Sequence, residues 1–312
     1  MRFNPINRVG VYIPGGKAAY PSTVIMTIVP AQIAGVDRLV LVTPPTREGS
    51  VNSYVLAVAA LLNIKEIFAI GGAQAIAALA YGTESIPKVD KIVGPGNAYV
   101  NEAKRQVFGR VGIDQLAGPT ELVVLADESA NPEYVVRDLF AQAEHDTEAR
   151  AILLTTSKEL ADKVKSLADR LIKNVASADI LQHSLKTFGA VVLVSDLKEG
   201  IELMNQIAPE HAQIFTKDPQ NILPEIKNAG AICLGEFTPA VVGDYCAGPN
   251  HVLPTAGNAR FSSPLNVMDF MKFSSVINYS KTRFDAHAAQ ISEFAELEGL
   301  MNHKNAIQSR NE

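Results

Sequence analysis

Short apolar segments rich in β-branched residues alternate with helical patterns along most of the chain. Four of these segments are predicted strands in the first third of the sequence: Val9–Pro14, Arg38–Thr43, Glu66–Ile70 and Lys91–Val93. Helical periodicity marks the stretches between them, Ser22–Ala34, Val51–Leu62 and Ala73–Tyr81. Parallel strands need long crossover connections, and a helix is the usual one. The alternation therefore predicts an α/β protein built on parallel sheets.

A second series of predicted strands follows the first: Glu121–Ala126, Ala151–Thr155, Ala190–Val194, Gln213–Phe215 and Ala231–Leu234. The interruption at Gln115–Thr120 predicts a boundary between two domains, 1–118 and 119–263. Each series supplies few strands, so the prediction is two incomplete Rossmann-like parallel-sheet units.

The tail of the chain has a different pattern. After about Ser263 no further strand is predicted, and residues 264–312 have helical periodicity that ends in Ile291–Ser309. An amphipathic helix beyond both cores gains most of its stability from packing. A partner subunit is a natural candidate for the surface against which it packs, so we expect a helical dimerisation tail.

Composition narrows the class of partner. The 28 Lys and Arg residues face 33 Asp and Glu residues, and no basic run could follow a phosphate backbone, which argues against nucleic acid. Two cysteines are too few for a secreted disulfide framework, and no apolar segment reaches the length of a membrane span. We expect a cytoplasmic protein that binds a small molecule.

A first candidate metal site lies in a predicted helix that begins at Asn131-Pro132-Glu133, an N-cap followed by proline. Gln142 and His145, three positions apart on that helix, can converge on one ion. The alternative is a histidine that stabilises the helix C-terminus through the dipole. The spacing alone does not choose between the two.

A Glu-His pair, Glu210 and His211, follows a predicted helix that ends near Ile207 and precedes the strand Gln213–Phe215. Loops at strand ends are common places for catalytic groups in α/β folds. A carboxylate beside an imidazole offers two proton acceptors with different ordinary pKa values, which suits a reaction with several proton transfers. An isolated pair of this kind is also compatible with a surface turn.

Two more segments bring chemistry-bearing residues. Asp244 and His251 lie in one predicted loop, Val242–Thr255, which is rich in glycine and proline, and Glu298 and His303 lie on one predicted tail helix. An ordinary connection and an exposed amphipathic helix are the plain alternatives. An amide, a carboxylate and two imidazoles, from Gln142, Asp244, His145 and His303, form a set compatible with zinc, manganese or cobalt.

Glycine turns provide candidate phosphate sites. Gly71-Gly72 and Gly94-Pro95-Gly96-Asn97 each follow a predicted strand and open a helix, where backbone N–H groups can bind anions. Neither stretch has the G-x-G-x-x-G pattern of dinucleotide-binding folds. A phosphate-bearing cofactor is therefore a weak prediction from these turns alone.

Nine ordered motifs make the pattern specific: Tyr12-Ile13-Pro14-Gly15-Gly16, Gly71-Gly72-Ala73-Gln74-Ala75-Ile76, Gly94-Pro95-Gly96-Asn97, Ala117-Gly118-Pro119-Thr120-Glu121, Gln142-Ala143-Glu144-His145, Pro209-Glu210-His211, Gly243-Asp244-Tyr245, Asn250-His251-Val252-Leu253-Pro254-Thr255 and His303-Lys304-Asn305-Ala306. In this order and spacing they closely resemble the histidinol dehydrogenase family, over the chain from Val9 to Arg310.

The resemblance implies a reaction and its residues. L-Histidinol would pass through L-histidinaldehyde to L-histidine, the final step of histidine biosynthesis, while two NAD are reduced in one site. The catalytic pair would be Glu210, which activates water, and His211, which takes the alcohol proton. The zinc ligands would be Gln142, His145, Asp244 and His303, the last from the neighbouring subunit of a homodimer with shared active sites.

Further positions match ligand contacts of the family. The substrate contacts would be Thr120, Gln142, His145, His211, Asp244, His251, Glu298 and His303, and the NAD contacts Tyr12, Gln74 and Asn97. Thr120 stands where the family usually has serine, and both residues offer a hydroxyl. Family members also have about a domain's worth of sequence, roughly 100 residues, before the first motif, and we expect the second sheet to lack the strands that it provides.

Two other functions fit the same residues. One is a zinc- and NAD-dependent dehydrogenase of another small polar alcohol, as in relatives that oxidise sulfopropanediol, although Glu298 and His251 favour a cationic imidazole substrate. The other is an inactive metal-binding dimer module. The intact pair Glu210 and His211 argues against that second alternative.

Overall fold

Two large parallel sheets organise the computed structural model of the chain. The structure describes residues 1–15 and 20–310. The strands are, in chain order, β1 (Arg2–Pro5), β2 (Arg8–Tyr12), β3 (Arg38–Thr43), β4 (Glu66–Ala69), β5 (Lys91–Val93), β6 (Gly112–Ile113), β7 (Glu121–Ala126), β8 (Arg150–Thr155), β9 (Ala190–Leu193), β10 (His211–Phe215), β11 (Ala231–Leu234) and β12 (Met271–Ser274). The predicted fold class, two Rossmann-like parallel sheets with helices, is confirmed.

Helices connect these strands throughout the described chain. They are α1 (Pro21–Ile33), α2 (Ser53–Leu61), α3 (Gly72–Tyr81), α4 (Ala98–Val107), α5 (Pro132–Ala143), α6 (Lys158–Leu171), α7 (Ala178–Thr187), α8 (Leu197–Ile207), α9 (Pro219–Ile222), α10 (Ala240–Tyr245), α11 (Lys281–Leu297) and α12 (Met301–Gln308). The predicted start of α5 is confirmed. Pro132 is its first residue, and the side chain of the N-cap residue Asn131 accepts a hydrogen bond from the Glu133 N–H.

The first sheet has the strand order β4-β3-β2-β5-β6, and all its pairings are parallel. The chain builds outward from β2 to β4 and then returns to the other side of β2, so the order reverses between β2 and β5. Side chains alternate between two buried clusters: Val9 and Val11 pack with α1 and α2, whereas Val40 and Val42 pack with α3 and α4. Ligands bind near such a reversal in open α/β sheets.

The second sheet repeats this topology with the order β11-β10-β7-β8-β9, again parallel, so that it reverses between β7 and β10. The strand β7 is buried along its whole length. At its carboxyl end the Asp127 carboxylate accepts hydrogen bonds from the backbone N–H of Ser129 and of Lys217, both at 2.9 Å. Although this sheet was expected to be short of strands, its described residues form five, the same number as in the first sheet.

The described residues form two compact units, Pro5–Lys272 with both large sheets, and Met1–Asn4 together with the chain from Phe273 onward. The expectation of no strand after Ser263 was wrong, because β12 pairs with β1, and Phe3 contacts Phe273 with 5.9 Å between ring centroids. The partner strand β1 lies at the other end of the chain, so the sequence around β12 gives no sign of this pairing. The predicted domain boundaries at 118 and 263 are finer than this division and stay a prediction.

The predicted tail helix is two helices. Gly299 has φ +72°, and the Leu300 N–H donates to the Ala295 carbonyl at 2.8 Å, which ends α11 one turn before α12 begins. Glu298 is consequently the residue that caps α11, and His303 lies in the first turn of α12. Within the described residues, no helix is long and apolar enough to cross a membrane.

Candidate active site

A cavity of about 660 Å³ lies in the larger unit, where the first sheet meets the second. The first sheet contributes the loops that follow β2 and β5, with Pro14, Pro95, Gly96 and Asn97. The second sheet contributes residues at the amino ends of β7 and β10, namely Thr120, Glu210 and His211. The first sheet thus follows the rule that ligands bind at carboxyl ends of strands, and the second sheet does not.

Glu210 and His211 reach the cavity through a sharp change of direction after α8. Ala208 has φ +51°, the left-handed conformation that is uncommon for residues with a Cβ, and it ends the helix. Three residues later the chain enters β10 at His211, which pairs with Leu122 of β7 and Ala231 of β11. The strand was predicted to begin at Gln213, two residues too late, so His211 lies at the first position of β10 and not in the loop before it.

The Glu210 carboxylate is fixed by the start of β7. Its Oε2 accepts hydrogen bonds from the Thr120 hydroxyl at 2.5 Å and from the Glu121 backbone N–H at 3.0 Å. The Thr120 hydroxyl in turn accepts a hydrogen bond from the Gln142 side-chain amide. Thr120, predicted as a substrate contact, therefore also links Gln142 to Glu210.

The His211 imidazole is oriented by two oxygens. Its Nδ1 lies 3.3 Å from the backbone carbonyl oxygen of Glu121 and 3.7 Å from the Glu210 Oε2. Both of these oxygens are acceptors, so they favour the tautomer with the proton on Nδ1. The lone pair of Nε2 is then available to take a proton from a group in the cavity.

The structure brings Gln142, His145 and Asp244 to this same cavity. Two details differ from the predictions. Helix α5 ends at Ala143, so His145 follows the helix and does not lie on it, and its N–H donates to the Gln142 carbonyl at 3.4 Å. Asp244 lies within the short helix α10, which the glycines and prolines around it concealed in the sequence.

His251 also lines the cavity, and it is mostly buried. Its Nε2 has no accessible surface and no hydrogen-bond partner among the described residues. Burial lowers the pKa of His251 below its usual value, and the nearby Asp244 carboxylate opposes this effect. A buried nitrogen without a partner is unfavourable, so a ligand with a polar group that faces His251 would satisfy it.

Three of the four candidate metal ligands, Gln142, His145 and Asp244, lie in the larger unit. No group of three or more His, Cys, Asp or Glu side chains that could hold a metal ion occurs in the part of the chain that the structure describes. Gln142 adds an amide to His145 and Asp244 at the cavity wall, and its nitrogen donates to Thr120, which leaves the amide oxygen for an ion. Glu298 and His303 belong to the smaller unit.

The three predicted NAD contacts lie at or near the carboxyl edge of the first sheet. The Tyr12 hydroxyl accepts a hydrogen bond from the Gly72 N–H at 3.1 Å, and burial raises the pKa of Tyr12. Gln74 is exposed in the first turn of α3. Asn97 lines the cavity and caps α4, where its side chain accepts from the Val100 N–H at 3.1 Å. All three lie near the N-termini of helices, where backbone N–H groups can bind an anion.

Sequence reasoning assigned no role to Glu121, whose backbone contacts both Glu210 and His211. Glu121 is buried, and its side chain accepts hydrogen bonds from Arg150 at 2.9 Å and from the Ala256 N–H at 3.2 Å. Burial raises the pKa of Glu121, and the Arg150 charge opposes it. Because its partners are distant in sequence, no local pattern distinguishes Glu121 from other acidic residues.

A buried polar pair lies beneath the site, between α5 and β10. The Gln213 side-chain nitrogen donates to the Asp138 carboxylate at 2.7 Å, while the buried Gln213 Oε1 has no partner. Burial raises the pKa of Asp138 from 3.8 to about 6, and the hydrogen bond from Gln213 opposes this. The folded chain thus holds this proton more tightly than the unfolded chain. Its free energy of unfolding should therefore fall as the pH rises from about 4 to about 6.

Replacing Asp138 by Asn should stabilise the chain at neutral pH by on the order of 1 kcal/mol, since the group is only partly buried. The new amide nitrogen can donate to Gln213 Oε1, and no charge has to be buried. Thermal unfolding of Asp138→Asn and of the exposed control Asp162→Asn should be compared across this pH range. The advantage of Asp138→Asn should vanish toward about pH 4; a pH-independent difference, or a loss of stability at neutral pH, would contradict the assignment.

The comparison with known families decides the class of the protein. The family model described as histidinol dehydrogenase matches residues 1–311. The chain belongs to the histidinol dehydrogenase family. Members of this family are oxidoreductases, and the resemblance found in the motifs is confirmed.

Curated histidinol dehydrogenases are similar to nearly the whole chain. The enzyme from Halalkalibacterium halodurans is 53% identical over 309 residues, which are 99% of this chain and 73% of that protein. The one from Caldanaerobacter subterraneus subsp. tengcongensis is 54% identical and covers 98% of this chain, which spans 71% of its length. These identities support the first of the functions weighed from the sequence and neither alternative.

Solved structures agree with this placement. The crystal structure of histidinol dehydrogenase from Elizabethkingia anophelis has a TM-score of 0.94 at 38% identity, and the match covers 99% of this chain and 71% of that one. An acetylating aldehyde dehydrogenase from Geobacillus thermoglucosidasius has a TM-score of 0.55 at 14% identity, covering 89% of this chain and 77% of that one. The second likeness concerns the fold alone.

Proposed function

We propose that this histidinol dehydrogenase family member oxidises L-histidinol through L-histidinaldehyde to L-histidine with two NAD, as the final step of histidine biosynthesis. We further propose that it works in the cytoplasm as a homodimer with shared active sites. The observation that carries the reaction is the pair Glu210 and His211, fixed at the start of β10 and facing one cavity with Gln142, His145 and Asp244. Two proton acceptors and a set of polar donors in one cavity suit successive oxidations.

The first oxidation needs a base for the alcohol. As the C–H bond of the carbinol carbon breaks, its electron pair leaves as hydride and the hydroxyl loses its proton. The Nε2 of His211 would take that proton, because Nδ1 faces the acceptors Glu121 O and Glu210 Oε2. NAD, when bound, accepts the hydride of each oxidation. The product of this step is the aldehyde.

The second oxidation needs water. Addition of water to the aldehyde gives a hydrate, and removal of a second hydride and a proton from that hydrate gives the acid, which then ionises. Glu210 would remove a proton from the attacking water, since the Thr120 hydroxyl and the Glu121 N–H hold its carboxylate in one orientation. His211 would then serve as the base again.

A zinc ion would be held by Gln142, His145 and Asp244, with His303 from the second subunit as the fourth ligand. An amide oxygen, a carboxylate and two imidazoles suit this metal, although manganese is compatible as well. Because the Gln142 amide nitrogen donates to Thr120, its oxygen is the atom that would face the ion. When bound, the ion acts as a template for the nitrogens of the substrate. His251, Thr120 and Glu298 would complete the substrate contacts.

The nucleotide would bind where the first sheet reverses its strand order, between the loops that follow β2 and β5. Asn97 at the start of α4 and the backbone N–H groups at the start of α3 suit a pyrophosphate. Tyr12 and Gln74 lie at the start of α3. This agrees with the three positions inferred from the family resemblance.

The deciding experiment counts NADH for each histidinol consumed by the purified chain. We expect two NADH per histidinol, loss of activity after chelation and recovery with zinc, and a metal content near one per chain that falls in His145→Ala. One NADH with accumulated aldehyde, or turnover that chelation leaves intact, would contradict the proposal. Turnover of sulfopropanediol but not histidinol would favour the other alcohol, and a folded, metal-loaded, inactive chain would favour a binding module.

A further inference from the structure

A lysine is completely buried next to the proposed nucleotide crevice. Lys104 lies on α4, and its side chain has no exposed surface, although its neighbours Glu102 and Arg105 form an exposed ion pair. A buried ammonium group is unfavourable unless it is paired and fully hydrogen-bonded. The Lys104 Nζ donates to the Asp114 carboxylate and to the backbone carbonyl of Gly94, the latter at 3.0 Å.

The same carboxylate binds the other side of Gly94. The Asp114 Oδ2 accepts from the Gly94 N–H at 2.7 Å, and its Oδ1 accepts from the Gln115 N–H at 2.6 Å. Both backbone polar groups of Gly94 are therefore held by one ion pair, the N–H by Asp114 and the carbonyl by Lys104. Lys104 and Asp114 thus both direct hydrogen bonds at Gly94.

Gly94 begins the loop that lines the cavity after β5. It has φ +114°, and a Cβ at this position would overlap the carbonyl oxygen of Tyr12. The next residues, Pro95 and Gly96, form part of the cavity wall, and Asn97 then caps α4. The conformation of Gly94 consequently sets where this wall stands relative to β2.

We infer that Lys104 and Asp114 are positioning residues that hold the loop from Gly94 to Asn97 in the shape that receives the nicotinamide nucleotide, which rests on the proposed function. An apolar pair of similar size stabilises a fold as well as a buried ion pair does. What the ion pair adds is one donor and one acceptor aimed at the two polar groups of Gly94. A preformed loop spares the nucleotide the free energy of ordering it.

The test compares Lys104→Met, Asp114→Asn and the double variant Lys104→Met/Asp114→Leu with the control Lys158→Met. Lys158 forms an exposed ion pair with Asp162 on α6 and lies outside the site. Four quantities are measured: NADH binding by its fluorescence, the KM values of NAD and histidinol, the thermal unfolding midpoint, and hydrogen exchange of a peptide spanning residues 94–101.

In the double variant we expect the unfolding midpoint to fall less than in Lys104→Met, because Lys104→Met leaves the Asp114 charge buried alone, whereas the double variant leaves only backbone groups of Gly94 and Gln115 without partners. The Kd of NADH and the KM of NAD should rise about tenfold or more, exchange at residues 94–97 should accelerate, and the KM of histidinol should stay within about twofold. If the double variant fails to fold, Asp114→Asn, which keeps the shape of the side chain, should show the same effects.

Unchanged NADH binding and unchanged exchange in a folded variant would overturn the inference, as would an equal rise in both KM values. A parent chain that binds NADH without oxidising histidinol would contradict the proposed function but leave binding and exchange to decide this inference. A folded parent chain that binds no NADH would overturn the inference together with the nucleotide assignment.

Discussion

His211→Asn should lower kcat for oxidation of the alcohol by a factor of about 1,000 or more, within the range that general bases contribute. The amide of asparagine can keep a hydrogen bond to the Glu121 carbonyl, which now orients the imidazole. It cannot take up a proton at neutral pH, however, so the variant has no base at this position for the alcohol proton. Substrate binding should weaken far less than kcat falls, because His211 is only one of several predicted contacts of the substrate. The measurement is single-turnover NADH formation with histidinol as substrate.

Glu210→Gln separates the two oxidations. It should impair the aldehyde step by about 100-fold while alcohol oxidation falls less, because the carboxylate is assigned to water activation. Supplying histidinaldehyde directly isolates that step. His183→Asn, an exposed histidine on α7, is the matched control for handling and folding. Equal and small effects of both site variants on the two steps would remove the pair from the mechanism.

Gly94→Ala should destabilise the chain by more than about 3 kcal/mol, among the large effects of single substitutions. Two causes act together at this position. A positive φ is unfavourable for alanine by roughly 1–2 kcal/mol, and the new methyl group would overlap the Tyr12 carbonyl oxygen. Urea and thermal unfolding midpoints check the loss, and NADH binding should fall in whatever fraction stays folded.

Gly109→Ala is the matched control for that prediction. Gly109 has φ +96°, yet nothing lies within 4 Å of the position that a Cβ would take. This variant therefore measures backbone strain without steric overlap. The difference between the two alanine variants measures the close approach of Gly94 to β2. Equal midpoints for both would show that the loop moves aside without a penalty.

The sequence predicts the fold well because buried parallel strands are continuous apolar runs between turn signals. β3, β5, β7 and β11 have the bounds that these runs indicate. It predicts less well where few residues carry the signal. β6 has two residues and gains its identity only from pairing with β5, and β1 depends on β12 at the far end of the chain.

Site residues divide in the same way. Gln142, His145, Asp244 and His251 lie in recognisable motifs, and the structure brings all of them to one cavity. The bond between Thr120 and Glu210 spans 90 positions, and the ion pair between Lys104 and Asp114 depends on how α4 packs on its sheet. One sequence fixes neither strand register nor helix packing, so these contacts need the structure.

The repeated strand order of the two sheets has a kinetic consequence. At the reversal point of the second sheet, between β7 and β10, the Asp127 carboxylate accepts hydrogen bonds from the N–H groups of Ser129 and Lys217, so these groups do not serve a nucleotide phosphate. Under the proposed function, the reversal point of the first sheet then serves both hydride transfers. The first NADH has to depart, and a second NAD to enter, while the aldehyde waits in the cavity. Nucleotide exchange therefore sets how long a reactive aldehyde must be kept from solvent.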